Sequence, residues 1–189
     1  MEQDKSKWNG RYAGDGFFLG PHPSPFLAEQ IDWIEAHVPG RKAFDTACGE
    51  GRNSIFLARR GFAVTGVDIS EEGLAKAARW ATKEGVEIAF RQADLEEYEF
   101  TESYDLILNF NFLLRDLIPK MVAALTPGGV IVFDTIHDSP HLVGHHNKAF
   151  LLRPGELEAL FARLPGRIIL SEEFSEGPAP TARLIFQKA

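Results

Sequence analysis

The sequence predicts an α/β fold, a doubly wound and mostly parallel sheet that ends in an antiparallel hairpin, and three observations predict it. Apolar strand-like runs alternate with helical patterns from Ala43 onward, the signature of a parallel sheet crossed by helices. One run leads into a glycine turn, Phe44-Asp45-Thr46-Ala47-Cys48-Gly49-Glu50-Gly51-Arg52-Asn53, and a second ends in an acid at Val64-Thr65-Gly66-Val67-Asp68. Near the C-terminus, Arg167 to Phe174 and Ala182 to Gln187 are joined by a Pro- and Gly-rich link, Glu176 to Pro180. That link has no room for a crossover helix, so the pair is antiparallel.

Taken in order, the chain opens with the polar segment Met1 to Lys7 and an N-terminal helix carrying Trp8, Arg11 and Tyr12. Trp8 with Phe17, Phe18 and Phe26 reads as a packed aromatic lid. Predicted strands run from Ala43 to Cys48, Ala63 to Asp68, Glu87 to Asp94, Tyr104 to Phe110 and Gly129 to Ile136, each rich in Val, Ile, Phe or Leu. Helices fill the gaps. Ser70 caps one whose first turn carries Glu71 and Glu72, and Leu74, Ala77, Ala78 and Ala81 follow at helical spacing as one buried stripe. Thr126-Pro127-Gly128-Gly129 stops another helix before the fifth strand. The expected organisation is a single domain over residues 1–189, with a lid and first helix over 1–40 and the sheet core over 41–189.

Composition narrows the partners. A chain of 189 residues with 44% apolar content is one domain's worth and buries a sizeable core. The net charge is -7 and no Lys/Arg cluster occurs, so a nucleic-acid backbone has no docking stripe. No run approaches the length of a membrane span, and the first residues lack the apolar core of a signal peptide. The single Cys48 leaves no internal disulfide and fits a reducing cytoplasm.

A glycine turn after the first strand and an acid after the second form a pocket for a nucleoside-bearing ligand. Dinucleotide and sulfonium cofactors share that architecture, so the flanking residues decide. Ser54 stands where a dinucleotide fingerprint carries a third Gly or Ala. Asp45 places a negative charge where a pyrophosphate would lie, which repels phosphate and suits an ammonium group. Asp68 is placed for a ribose diol, and Asp94, after the third strand, for an exocyclic adenine amine. S-adenosylmethionine offers an amine, a diol and an adenine, and no phosphate.

Together, Asp45-x-x-Cys48-Gly49-x-Gly51-Arg52-Asn53, Gly66-Val67-Asp68 and Ala93-Asp94-Leu95 resemble a small class I S-adenosylmethionine-dependent methyltransferase. With Trp8-Asn9-Gly10-Arg11-Tyr12 near the start, the chain looks like the tellurite-resistance and thiopurine-type branch of that family. The resemblance implies a seven-stranded sheet whose final hairpin is reversed, and S-adenosyl-L-methionine as cofactor. It implies a cofactor site built from Asp45, Ala47, Cys48, Gly49, Gly51 and Asn53 around the turn, with Asp68 and Ile69 after the second strand. Ala93, Asp94 and Leu95 join it after the third strand, and Asn109 after the fourth. It also implies that the N-terminal helix covers the cofactor through Tyr12, with Arg11 reaching the carboxylate. Ala47 stands where many members carry the first glycine, so a slightly tighter turn is expected. Cys48 reads as a small buried residue with no base nearby to activate it.

The acceptor side is less legible. His137, His141, His145 and His146 crowd one stretch after the fifth strand, but Ser139-Pro140 and Gly144 argue irregular backbone, and no metal is expected. The resemblance puts this region on the substrate side, making His137 and His141 candidate proton acceptors and Arg153, before Pro154-Gly155-Glu156, a candidate anchor for an anionic acceptor. Asn109-Phe110-Asn111-Phe112 lacks both prolines of the Asn-Pro-Pro-aromatic pattern of amino-group methyltransferases. The expected acceptor is therefore a small molecule with a soft nucleophile, a thiol or a tellurium or selenium oxyanion. Two alternatives stay open: a nicotinamide-dependent oxidoreductase, for which the chain has no obvious substrate domain, and a non-catalytic S-adenosylmethionine-binding sensor.

Overall fold

Apolar β-branched runs bounded by glycine turns build the strands, and amphipathic segments between them build the helices. The computed structural model describes residues 2–140, 142, 147–176 and 180–189. The chain divides into two compact units, residues up to Ala36 with Gly40–Glu99, and His37–Pro39 with Phe100–Ala189.

The first unit holds α1 (Glu2–Tyr12), α2 (Pro25–His37, to Ala36), β1 (Lys42–Thr46), α3 (Arg52–Arg59), β2 (Ala63–Asp68), α4 (Glu71–Glu84) and β3 (Ile88–Gln92). β1 pairs parallel with β2, and β2 with β3. Phe26, Leu27, Ile34, Phe44, Ile55, Leu57 and Val67 form its core, each at most 1% exposed. The Ser70 cap is as expected, its hydroxyl accepting from the Gly73 N–H at 3.1 Å. The buried stripe of α4 differs from expectation. It runs through Gly73, Leu74, Ala77 and Ala81, while Ala78 is exposed. Gly73 takes the fourth place because the Tyr12 ring lies over it, within 2.9 Å of where a Cβ would stand.

The second unit holds β4 (Tyr104–Phe110), α5 (Leu117–Ala124), β5 (Leu125–Ile136), α6 (Glu156–Phe161), β6 (Gly166–Phe174) and β7 (Thr181–Lys188). β4 pairs parallel with β5, whereas β5 with β7 and β6 with β7 are antiparallel. The C-terminal hairpin is therefore reversed, as the short link requires, although residues 177–179 of that link lie outside the described residues. Phe161 stands between Phe133 and Phe186, with ring centroids at 5.9 and 5.3 Å, and all three are at most 1% exposed. Each such buried side chain contributes roughly 1.5–3 kcal/mol.

The strands stand in one sheet in the order β3-β2-β1-β4-β5-β7-β6, seven in all. Several strand ends differ from the sequence reading, and β1 stops at Thr46, short of Cys48. β3 stops at Gln92, so Asp94 lies in the turn beyond it. β5 begins at Leu125, so Thr126 to Gly129 belongs to the strand, where pairing with β4 shifts register between Tyr104 and Leu106. Thr126 explains this by donating through Oγ1 to Asp105 Oδ1 at 2.9 Å, which holds the segment extended against β4.

Candidate active site

The site is built where β1 stops. Ala47 takes the left-handed conformation (φ 51°), which ends the strand, and Gly49 (φ 54°) and Gly51 (φ 80°) continue the turn into α3. Ala47 thus occupies a glycine conformation with a side chain, which costs roughly 1–2 kcal/mol. Cys48 N donates to Val67 O at 3.0 Å, hanging the turn on β2. Burial drives the Cys48 thiol well above its usual range, so it is no nucleophile.

Asp68 spans the turn and the start of α4. Its Oδ2 accepts from Gly49 N and its Oδ1 from Ser70 N, both at 2.8 Å. The carboxylate is 5% exposed, and burial raises its pKa although the Ser70, Gly49 and Ile69 amides pull the other way. Asp68 therefore fixes the turn, and its remaining lone pairs are what a ribose diol would meet. Asp45 is deeper, 2% exposed, and accepts from Ser54 Oγ at 2.6 Å. Burial pushes its carboxyl up to about 7, against the pull of the Ser54 hydroxyl and the Arg52 charge. The residue that breaks the dinucleotide fingerprint is thus the partner of the acid that would repel a pyrophosphate. Beyond β3, Ala93 N donates to Asp68 O at 3.1 Å, Asp94 Oδ1 accepts from Glu96 N at 3.0 Å, and Leu95 is 6% exposed. The structure thus brings Asp45, Asp68 and Asp94 to the carboxyl ends of three adjacent strands, where open α/β sheets bind ligands.

The lid packs on this turn. The Tyr12 ring lies between Gly49 and Gly73: a Cβ on Gly49 would stand 2.6 Å from the phenol oxygen. Burial, then the charges of Asp68 and Glu50, raise the Tyr12 phenol far above its ordinary value, so it stays a neutral donor. Arg11 is held over the Trp8 and Phe18 rings, at 4.7 and 5.3 Å to their centroids. Asn53 Oδ1 accepts from Ser24 N at 2.8 Å, which gives this sequence-nominated residue a lid-fixing task. Sequence reasoning missed Glu50, 7% exposed, whose Oε2 accepts from Phe18 N at 2.7 Å. Its spacing from Phe18 carries no periodic signal, and only the fold brings them together.

The second unit holds Asn109, expected in the cofactor site, and the residues nominated for the acceptor. Asn109 is 1% exposed and its Nδ2 donates to Phe112 O at 2.7 Å, shaping the turn after β4. His137, 1% exposed, faces main-chain oxygens with both ring nitrogens, Nδ1 toward Asp138 O at 3.0 Å and Nε2 toward Phe174 O at 3.2 Å. That geometry gives it a structural task in tying the ends of β5 and β6. Arg153 is open, its side chain 80% exposed, with Nη2 at 3.3 Å from Glu156 Oε1. His141, His145 and His146 lie outside the described residues. Among the described residues, no group of three or more His, Cys, Asp or Glu is placed to hold a metal ion.

A three-acid turn without a phosphate cradle lies at the carboxyl edge of a sheet closed by a reversed hairpin, the fold of class I S-adenosylmethionine-dependent methyltransferases. Comparison with known proteins agrees: a family described as a methyltransferase domain matches residues 43–129. The chain is 34% identical over 145 residues to a ubiquinone biosynthesis O-methyltransferase of Azotobacter vinelandii, an alignment covering 72% of this chain and 60% of that protein. It therefore spans less than two thirds of that relative's length. Among solved structures, its fold is similar to TehB from Haemophilus influenzae, with TM-score 0.72 and 21% identity over 86% of this chain and 62% of that one. It is equally similar to magnesium protoporphyrin IX methyltransferase from Synechocystis PCC 6803 with bound SAH, with TM-score 0.73 and 17% identity over 97% and 94% of the two chains. No helix among the described residues is long and apolar enough to cross a membrane.

Proposed function

We propose that this protein is an active methyltransferase that uses S-adenosylmethionine to methylate a small-molecule acceptor at oxygen or sulfur. The observation that carries the proposal is the pair of buried acids at the glycine turn, Asp45 and Asp68. In the proposed site, Asp45 takes the cofactor's ammonium, Asp68 its ribose hydroxyls and Asp94 its adenine amine. When bound, the cofactor supplies an electrophilic methyl group on a sulfonium centre. The chain's own part is to hold donor and acceptor in line and to exclude water, and positioning of this kind supplies most of the acceleration in such a transfer. The neutral Tyr12 phenol and the pinned lid serve that exclusion.

An oxygen acceptor is supported by the O-methyltransferase relatives. The opening Trp8-Asn9-Gly10-Arg11-Tyr12 supports the tellurite-resistance and thiopurine-type reading, with a thiol or metalloid oxyanion as acceptor. A net charge of -7 favours a small molecule over nucleic acid, and the free Cys48 fits the cytoplasm. The test is calorimetric titration with S-adenosylhomocysteine and NAD, followed by S-adenosylhomocysteine release on catechol, thiophenol, 2-mercaptoethanol and tellurite. Binding of the sulfur nucleoside with release on at least one acceptor is expected. Binding of NAD alone would refute the reading, and binding without release on any acceptor would leave a sensor.

A further inference from the structure

Asn9 lies on the face of α1 that meets the start of α4, half-buried between the two helices. Its Oδ1 accepts from Ser70 Oγ at 2.6 Å and stands 3.4 Å from Glu72 N, and its Nδ2 is 3.4 Å from Glu71 Oε1. The short bond decides the geometry, and the two long ones add little. Ser70 is 0% exposed, and its hydroxyl already accepts from the Gly73 N–H at 3.1 Å as the cap of α4. Its single hydrogen is therefore left for Asn9, and residue 9 must present an oxygen to receive it.

The same serine reaches the glycine turn. Its N–H donates to Asp68 Oδ1 at 2.8 Å, and the other carboxylate oxygen accepts from Gly49 N at 2.8 Å. Asn9, Ser70, Asp68 and Gly49 thus form one hydrogen-bonded series from α1 to the turn, and its middle members, Ser70 and Asp68, are buried. The rest of the lid follows the same side of α4. Tyr12 lies over Gly73, Lys76 Nζ donates to the Gly16 carbonyl at 2.7 Å, and the Phe17 and Trp80 ring centroids stand 4.6 Å apart. Positions 70, 73, 76 and 80 follow one another at helical spacing and share one side of α4. Asn9 fastens the end of this strap that lies beside Asp68. Because Tyr12 stands over the turn, lifting α1 away from it parts Asn9 from Ser70.

We propose that Asn9 is a positioning residue of the cofactor site: through Ser70 it holds α1 closed over the turn that Asp68 fixes, and so slows release of the cofactor. This rests on the cofactor placement proposed above. Ligand and lid then stabilise each other, because a ribose held by Asp68 and a helix held by Ser70 share one series of bonds. The experiment measures S-adenosylhomocysteine binding to the full chain by surface plasmon resonance, well below the melting temperature, in wild type, Asn9→Ala, Asn9→Asp, Ser70→Ala and the Asn9→Ala/Ser70→Ala double variant. Asn9→Ala should speed release about tenfold and change the association rate little. Asn9→Asp keeps an oxygen acceptor at the N-terminal end of α4, where a negative charge is favoured, and should release at close to the wild-type rate. The double variant should be no faster than Ser70→Ala, because Asn9 acts through Ser70. Amide exchange supplies a readout that a merely structural role would not move: S-adenosylhomocysteine should slow exchange over residues 8–12 in the wild type and much less in Asn9→Ala. Equally fast release from Asn9→Asp and Asn9→Ala, additive effects in the double variant, or equal ligand protection of residues 8–12 in wild type and Asn9→Ala overturns the inference. Asp68→Ala separates the two readings. Unaltered affinity in Asp68→Ala overturns the cofactor placement and the inference with it, whereas lost affinity there beside wild-type release in Asn9→Ala overturns the inference alone.

Discussion

Lys76 Nζ lies 3.0 Å from Glu50 Oε1 and 2.7 Å from the Gly16 carbonyl oxygen. The acid between the two glycines of the turn after β1 is thereby linked to residues 16–18 twice, through Lys76 and directly through the Phe18 amide. The side chains are 14% and 6% exposed, so solvent screens this pair far less than a surface one.

Glu50→Gln keeps an acceptor for the Phe18 amide but removes the charge opposite Lys76. The expected loss is roughly 1.5–3 kcal/mol of stability, the range for a hydrogen bond to a charged group. Amide exchange in residues 16–19 should accelerate more than in β1. Equal acceleration in both would mean that the lid and the turn are not linked through this residue.

Asp45 sets a pH dependence. Its carboxyl is pushed from 3.8 up to about 7 by burial, so between those values the folded chain keeps a proton that the unfolded chain has released. Stability therefore falls as pH rises through that window. Asp45→Asn should flatten the fall in melting temperature between pH 4 and 7, a range set by the same shift. Cofactor affinity should move the opposite way in the wild type, climbing toward and past pH 7 as the carboxylate becomes available to an ammonium. Identical pH profiles for variant and wild type would remove Asp45 from both roles.

Ala47 holds a backbone conformation that glycine adopts without penalty. Ala47→Gly removes a cost of roughly 1–2 kcal/mol and adds about 0.4–1 kcal/mol of unfolded-chain freedom, so stability should hold or rise slightly. Ala47→Val should instead lose roughly 1–3 kcal/mol. Denaturant titration of the three proteins decides it, and a marked loss in Ala47→Gly would contradict the local account.

Asp94 is tested by ligand choice. If its carboxylate accepts from the adenine amine, Asp94→Ala should weaken S-adenosylhomocysteine binding by about tenfold. It should barely affect S-inosylhomocysteine, which lacks that amine. Parallel losses for both ligands would reduce Asp94 to its turn-capping bond with Glu96.

Much of this was legible from the residues in order. Ala63–Asp68 and Tyr104–Phe110 form strands with the bounds the apolar runs predict, because backbone pairing follows runs that a sheet buries on both faces. The Ser70 cap and the reversed hairpin follow from local chemistry in the same way. What stayed hidden depends on long-range neighbours. Nothing near Glu50 in sequence points to Lys76 or Phe18, and nothing near Asn9 points to Ser70. Ala78 fits the helical stripe by spacing, yet faces solvent because Tyr12, from another helix, covers Gly73 instead. The histidine-rich stretch looked like chemistry, and His137 proves to be spent on main-chain oxygens.

The reversed hairpin has a cost that the chain meets on its last strand pair. β6 ends the sheet, so among the described residues it is hydrogen-bonded to a neighbouring strand on one side only. A bare strand edge is a template on which another polypeptide can extend the sheet. Along β6, Arg167, Glu172 and Glu173 are exposed, and its pairing with β7 slips register between Ile168 and Leu170. Fixed charge and an irregular ladder both discourage a flat partner from docking there. Solubility at high concentration thus depends on charges along a sheet edge, and neutralising Glu172 and Glu173 should turn a well-behaved solution into one that thickens into intermolecular β-structure.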